Sequence, residues 1–493
     1  MPISYDPTNN IVTCVGDATK GDSESNPFTF EDLYNADKAG MLQLLSPTTA
    51  AMDLDLDRQI RPADSGALRL SLIITNYSPP KGTVTLSGKD MFDQTQQEEM
   101  EITGNGEYLT NEYWKSIDSG GIDCIGTYTI EITQPRWGVI SKFGKQYSFD
   151  CRLIFGEGVA STYFTEKSKQ TIFLATAISG LGQKFIEIKG EATFTLGILD
   201  DLSAKRTSQG VSVMVTADYS GTYLLYSSGT AIVYLYSTQF ATESEYAHIR
   251  LIGSSSRIWN CVFEKVTLYQ MTNADIFNIN SWKYTSTGYA PIYRLTGCTM
   301  DKINVFSSYR AFYVAAGSFT VSNVYVRGTT DYLATLIASG TDPAYFINVD
   351  SDTWNLFWAF SGTRKVFRQY EFNAHCQDKD GNNLSGVSVV AEYINPYGQA
   401  FSETTDGNGD IPTQTVDHGF FDPAHESTEQ LETPLKVTYS KTGYQTVVKY
   451  YDMDEKTKDR VVLHKAVGVF LDFGKPVVNL KKNDPENKNV MVL

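Results

Sequence analysis

At 493 residues the chain is long enough for about three domains at roughly 150 residues each, and 41% hydrophobic against 20% charged residues excludes a disordered chain. Its 30 Tyr, 26 Phe and 38 Gly point to strands and turns, so the fold class expected is all-β. A formal charge of −16 with no basic stripe excludes nucleic-acid binding, which needs clustered Lys and Arg to neutralise phosphates.

No apolar run reaches the roughly 18 residues of a membrane span, and the opening MPISYDPTNN lacks the basic start and apolar core of a signal peptide. A soluble chain without membrane insertion is therefore expected. Lys+Arg and Asp+Glu number 9 and 21 over residues 1–139, 20 and 17 over 140–370, and 12 and 19 over 371–493, so the balance changes sign at two candidate boundaries. Cys14, Cys124, Cys151, Cys261, Cys298 and Cys376 are scattered without a CxxC pair. That spacing suits buried free thiols better than a zinc site or a disulfide scaffold.

In chain order, Thr29-Phe-Glu-Asp32 opens a short helix that Gly40 ends. Its expected role is to cap the first coil of a following solenoid. Further on, Asp53, Asp55 and Asp57 share one strand face, a solvated edge. Over 67–133 alternating strands are broken by turns: Leu70, Leu72 and Ile74 fall on one face, and Pro79-Pro80-Lys81-Gly82 turns the chain toward Val84 and Leu86. This segment predicts a small β-sandwich. With Gly82-Thr-Val-Thr, Lys89-Asp90 and Tyr113-Trp-Lys-Ser116, it resembles Ig-like modules of tailed-phage surface and baseplate proteins.

Residues 140–370 carry strand-like runs at short intervals with almost no helical periodicity. Asn260, Asn280, Asn304, Asn323 and Asn348 each sit among apolar or small neighbours at spacings of 20, 24, 19 and 25, a mean of 22. Such a period is that of a solenoid, and β-branched and aromatic preferences select a parallel β-helix over a propeller or a leucine-rich array. A repeated Asn would bond its equivalents in the coils above and below.

Beyond residue 370, Asp378-Lys-Asp380-Gly381 leads to Leu384-Ser-Gly386 and the alternating Val387, Val389 and Ala391. Asp406-Gly-Asn-Gly409 and Lys441-Thr-Gly443-Tyr444 then mark two more turns. The pattern resembles the carboxypeptidase-regulatory or transthyretin-like β-sandwich family as far as Leu463, which implies an accessory fold without catalytic residues. His418-Gly-Phe-Phe-Asp-Pro-Ala-His425-Glu departs from it as an inserted loop and potential contact surface. Residues 466–493 carry apolar stretches at Val467–Phe473 and Val490–Leu493. An assembly tail packed on another chain or domain accounts for them, with Val467, Phe470, Leu471, Phe473, Val477 and Val478 buried there.

The chain thus reads as 1–40, N-terminal strand and capping helix; 41–136, inserted Ig-like β-sandwich; 137–369, parallel β-helix; 370–465, transthyretin-like β-sandwich; and 466–493, assembly tail. The fold expected is a right-handed parallel β-helix with both sandwiches. No catalytic, cofactor-binding or metal residue is assigned. His248, His375, His418, His425 and His464 lie outside any nucleophile motif, and Gly180-Leu-Gly-Gln and Gly381-Asn-Asn lack the ending of a phosphate loop. Asp275, Asp301, Asp331, Asp342, Asp350 and Asp352 are the carboxylates from which a glycan-cleaving pair would be drawn, and Asp350 and Asp352 read as turn residues. Asp406, Asn408, Asp410 and Asp417 imitate a calcium loop in part, but Ile411 stands where that loop requires Gly. Tyr223, Tyr226, Tyr234, Tyr236, Trp282, Tyr284, Tyr289 and Tyr293 form either a binding strip for sugar or protein, or coil filling and trimer contact.

Taken whole, the organisation resembles virion surface, tail-spike and fibre proteins of tailed bacterial and archaeal viruses. The resemblance implies a non-enzymatic structural protein used in particle assembly and host attachment, located on the virion surface and assembled in the host cytoplasm. The partners it implies are a homotrimer, other virion proteins and a host-surface glycan or protein. A β-helix polysaccharide lyase or glycoside hydrolase and a cell-surface adhesin are the alternatives.

Overall fold

The computed structural model describes residues 2–6, 9–38, 51–52, 71–75, 82–90, 94–112, 114, 116–123, 129–133, 140–143, 145–149, 151–157, 161–167, 169–174, 183–215, 223–242, 247–252, 255–283, 289–315, 317–337, 341–359, 362–394, 397–425 and 428–466. The fold is nearly all strand, and among the described residues no helix is long and apolar enough to cross a membrane. The chain divides into two compact units, residues 1–298 with 305–309 and residues 299–304 with 310–493.

In the first unit the strands Ile11–Cys14, Arg152–Phe155, Lys184–Ile188, Tyr223–Ser227, Ala247–Leu251, Val266–Tyr269 and Ile292–Tyr293 stack in parallel as one wall. Leu225 lies beside Ile249, Ala247 beside Val266 and Leu268 beside Ile292, so each of these coils takes up a length of chain close to the spacing of the Asn series. Earlier coils are longer: Leu153 lies beside Ile186 and Ile186 beside Leu225, the second of these coils enclosing the hairpin of Ile198–Asp201 with Arg206–Gln209. Parallel partners at such short separations leave no room for a helical crossover, so this is a parallel β-helix.

Its corners are made by residues in left-handed backbone conformation. Tyr236, Trp259 and Phe277 are in register, and the residues after them, Ser237, Asn260 and Asn278, have φ of 50°, 58° and 54°. Asn tolerates this region better than most side chains. Asn278 Nδ2 donates to Asn260 Oδ1 at 2.7 Å, and Asn260 Nδ2 donates to the Lys205 carbonyl at 2.9 Å. One link of the expected kind is therefore present, but it is made by Asn278, where Asn280 was expected; Asn280 lies beyond the corner, in register with Val262. Asn278→Ala should cost about 1–2 kcal/mol in urea unfolding, combining a left-handed Ala with a lost buried hydrogen bond. Asn278→Gly should cost less, because it keeps the corner and loses only the bond.

The helix Phe30–Lys38 starts where Thr29 Oγ1 accepts the Asp32 N–H at 3.2 Å and the Asp32 carboxylate accepts the Thr29 N–H at 2.8 Å. Phe30, Leu33 and Ala36, on one face, are buried. Phe30 meets Phe164 at 4.8 Å and Phe149 at 5.3 Å between ring centroids, and its N–H donates to Glu166 at 3.3 Å, so the helix covers the first coils as expected of a cap. The stop at Gly40 lies outside the described residues.

Between helix and coils, two antiparallel sheets form. One orders Ala51–Met52, Thr129–Thr133, Ser71–Thr75 and Gly106–Leu109, and the other Thr95–Ile102, Gly82–Lys89 and Ser116–Asp123. Leu72, Ile74, Val84 and Leu86 are buried, as their alternation predicts. Leu70, Pro79 to Lys81, Tyr113 and Lys115 lie outside the described residues, as do Asp53, Asp55, Asp57 and Cys124. The five described cysteines are free, and all but Cys298 are fully buried.

In the second unit Arg310–Val314, Tyr332–Ile337 and Leu356–Ala359 are parallel in the same manner, with Arg310 beside Tyr332 and Ala334 beside Leu356, again a short advance per coil. Asn323 and Asn348 are left-handed corners here, bonded to each other at 3.1 Å, and Asn323 donates to Asp301 at 2.6 Å. Lys302 rather than Asn304 has the left-handed φ, 57°.

The strand Val366–Asp378 belongs to two structures at once. Its start pairs in parallel with Ala344–Ser351 of the preceding coil, and its residues 372–378 pair in parallel with Thr457–Leu463. A second sheet orders Tyr397–Thr404, Ser388–Ile394, Leu435–Ser440 and Val447–Tyr451. Between the sheets lies a core that includes Phe372, Cys376, Val387, Val389, Ala391, Val437 and Tyr439. The segment read as an inserted loop begins as strand: His418 to Phe421 end the strand Gln414–Phe421, which sets Phe421 beside Val366 and Phe420 beside Phe367. Only Asp422 to His425 turn, around the Asp422 carboxylate. Residues 467–493, with the apolar side chains assigned to an assembly contact, lie outside the described residues.

Candidate functional site: the aromatic outer faces of the coils

On the first wall, strand alternation turns Ile186, Leu225, Ile249, Leu268 and Ile292 inward, where all are buried. The opposite face carries rows fixed by register: Glu187, Tyr226 and Arg250; Tyr223, His248 and Thr267; Tyr269 and Tyr293. Tyr269 stacks on Tyr293 at 5.0 Å and 7°, and on His248 at 4.6 Å and 25°. Tyr289 closes on His248 at 5.0 Å and on Tyr293 at 5.2 Å, while Tyr223 contacts Tyr226 at 5.3 Å.

His248 is 3% exposed, and burial pushes its imidazole down to about 4, so it is neutral at pH 7. Its Nδ1 and the neighbouring Thr267 Oγ1 are buried without a hydrogen-bond partner. Lys184 lies 4.1 Å above the Tyr226 ring and pairs with Glu187 at 2.5 Å. Arg250 lies 5.7 Å from the same ring with its Nε buried and unbonded.

The second wall repeats the arrangement with a lid. Tyr234, Arg257 and Asp275 form one row, and Tyr236, Trp259 and Phe277 the next. The hairpin at Lys205 brings that ammonium to 4.2 Å from the Phe277 ring, 4.7 Å from Trp259 and 3.8 Å from Asp275, whose carboxylate also accepts the Trp259 Nε1–H at 3.0 Å. Trp282, 42% exposed, stacks on Phe306 at 4.4 Å. The aromatics are therefore not coil filling; they clothe the outside. Tyr284 lies outside the described residues.

Four of the six candidate carboxylates, those of Asp275, Asp301, Asp350 and Asp352, are drawn into local contacts. Asp275 is held as above, and Asp301 accepts from Ser322 at 2.9 Å and from Asn323. Asp350 pairs with Arg327 at 2.7 Å from within the strand Ala344–Ser351, beside Tyr325, and so is not the turn residue expected, whereas Asp352, just past the strand, accepts the Gly328 N–H at 2.6 Å. Asp331 offers its carbonyl to Asn355 at 3.4 Å, and the charge of Asp342 acts on Arg364, countering the burial that lowers that guanidinium. Asp406 spends one carboxylate oxygen on the N–H groups of Asn408 at 2.8 Å and Asp410 at 3.0 Å, and these bonds hold it below the usual carboxylate range. Among the described residues no three acidic, His or Cys side chains converge as a metal site.

Tyr234 and Tyr236 share a face by alternation, and Tyr223, Tyr226, Tyr289 and Tyr293 are readable as aromatics lying within a few coils, but Arg250 and Lys205 are not, because only the coil register and the hairpin bring them beside those rings.

No family model and no curated protein matches the chain. Among solved structures it is similar to the catalytic domain of a GH87 alpha-1,3-glucanase in complex with nigerose (8% identity, TM-score 0.23, 63% of this chain and 89% of that one). It is also similar to a bacteriophage CBA120 tailspike protein 2 enzymatically active domain (8%, 0.20, 66% and 76%). A Pseudomonas phage phi297 tailspike is a further neighbour (9%, 0.16, 86% and 86%). At such TM-scores the assignment of the fold rests on the strand pairings themselves.

Proposed function

We propose that the chain is a non-enzymatic virion surface protein, a spike or fibre that contributes to particle assembly and attaches to the host through glycan held on the outer tyrosine face of its coils. The observation that carries this reading is the contiguous face of Tyr223, Tyr226, Tyr269, Tyr289 and Tyr293 around His248. Stacked coils repeat at ~4.8 Å, so the rings are presented on a rigid lattice, and aromatic planes with a polar edge suit sugar rings. Broad pleated side faces favour association of copies of the chain; a homotrimer joined to other virion proteins belongs to the same proposal.

Tyr223→Ala should weaken retention on host-envelope polysaccharide about tenfold, the equivalent of ~1.4 kcal/mol, with the circular dichroism unchanged. Unaltered retention would remove the attachment face. Release of new reducing ends or unsaturated sugars by the wild-type chain would instead establish the hydrolase or lyase reading, and light scattering at the mass of a single chain would remove the trimer.

A further inference from the structure

The cations of this tyrosine face differ in their pairing. Lys184 and Lys189 are matched by Glu187 and Glu157, whereas Arg250 has no ion pair among the described residues. Its Nε is buried without a hydrogen bond, and its guanidinium lies 5.7 Å from the Tyr226 ring. A guanidinium left in this state forgoes the charge-assisted, two-pronged pairing to which its geometry is suited.

We infer that the face takes a carboxylate-bearing saccharide whose carboxylate pairs with Arg250 while its ring stacks on Tyr226 or Tyr269. The inference rests on the attachment reading and specifies its ligand class. Two observations favour this ligand over other anions. Arg250 has no acidic partner among the described residues, so it offers one uncompensated charge beside stacking rings, which matches a carboxylate on a sugar rather than the row of phosphates that a nucleic acid presents to clustered Lys and Arg. His248, stacked on Tyr269, is neutral at pH 7 and adds no charge, and Lys184 is matched by Glu187, so the uncompensated charge beside Tyr226 is that of Arg250.

The test uses the full-length chain with oligogalacturonate, oligoalginate and oligosialic acid, each beside its carboxyl-reduced neutral counterpart, in calorimetric titrations. At least one acidic probe should bind more tightly than its reduced form. Arg250→Gln should weaken that binding ten- to a hundredfold, as expected for losing a charged hydrogen-bonded pair, and Arg250→Lys should restore part of it. A folded Arg250→Gln that binds the acidic probe like wild type overturns the inference, as does the absence of binding to all three acidic probes. If neutral host polysaccharide is retained equally by wild type and Arg250→Gln, the carboxylate class fails while the attachment reading stands. If neither acidic nor neutral polysaccharide is retained, both fail.

Discussion

Phe164→Ala is expected to destabilise the first unit by about 3–5 kcal/mol, the upper range for truncating a buried aromatic ring. Phe164 is fully buried and meets Phe30 at 4.8 Å, Phe155 at 4.8 Å and Phe194 at 4.7 Å, the last ring stacked at 11°. One ring therefore joins the capping helix to two coils, and its neighbours come from separate strands that cannot all collapse into the space left behind. The loss should appear as a lower urea midpoint, followed by the near-ultraviolet signal of the coils. Leu202→Ala, at a position 60% exposed on the Lys205 hairpin, should change stability by less than about 0.5 kcal/mol. Equal midpoints for Phe164→Ala and wild type would mean that the helix does not close the solenoid.

The second large effect depends on pH. His248 titrates at about 4 in the folded chain because burial disfavours its charged form, against about 6.5 when unfolded. Above pH 6.5 both states hold it neutral and its contribution is complete. As the pH falls from 6.5 to 4 only the unfolded chain takes up the proton, so stability drops by about 1.4 kcal/mol per pH unit, about 3 kcal/mol in total. Asp417 and Glu432, whose carboxyls burial raises, act in the opposite sense in the second unit, so the comparison is made against His248→Phe. The variant should differ from wild type by a constant above pH 6.5 and gain on it steadily below. A difference that stays flat from pH 7 to pH 4 would show that the imidazole is charged, or exposed, in the native state.

The fold was legible where side chains report directly on burial. Leu72, Ile74, Val84 and Leu86, or Val387, Val389 and Ala391, alternate in sequence and are buried in space. The coil period was also legible, since the advance from Arg310 to Tyr332, and from Ala334 to Leu356, matches the mean spacing of the Asn series. What the period could not decide was which Asn turns the corner. Asn278-Ile279-Asn280 offers two with the same apolar neighbour, and only the left-handed φ of Asn278 separates them. At the next corner a Lys, Lys302, takes the conformation, so residue type misleads there as well. His418 to Phe421 read as an insertion because the comparison was with a free-standing sandwich, whereas their partner is the first part of Val366–Asp378. For the candidate site, the tyrosines were legible from their density within a few coils, but Arg250 reaches Tyr226 only through the register of two strands on successive coils.

That long strand, Val366–Asp378, also has a mechanical meaning. Tension applied beyond Leu463 enters Thr457–Leu463 at the end that lies beside Asp378, while the neighbouring strand is anchored at its opposite end, Val366, in the last coil. Two parallel strands pulled from opposite ends are sheared, so the registered pairs from Phe372–Thr457 to Asp378–Leu463 must yield together rather than unzip one by one. No flexible tether intervenes, because the backbone that receives the force is already a rung of the solenoid. In a pulling experiment the sandwich and the last coil should therefore resist as a single element, and a tug on this end of the chain is delivered to the coils without slack.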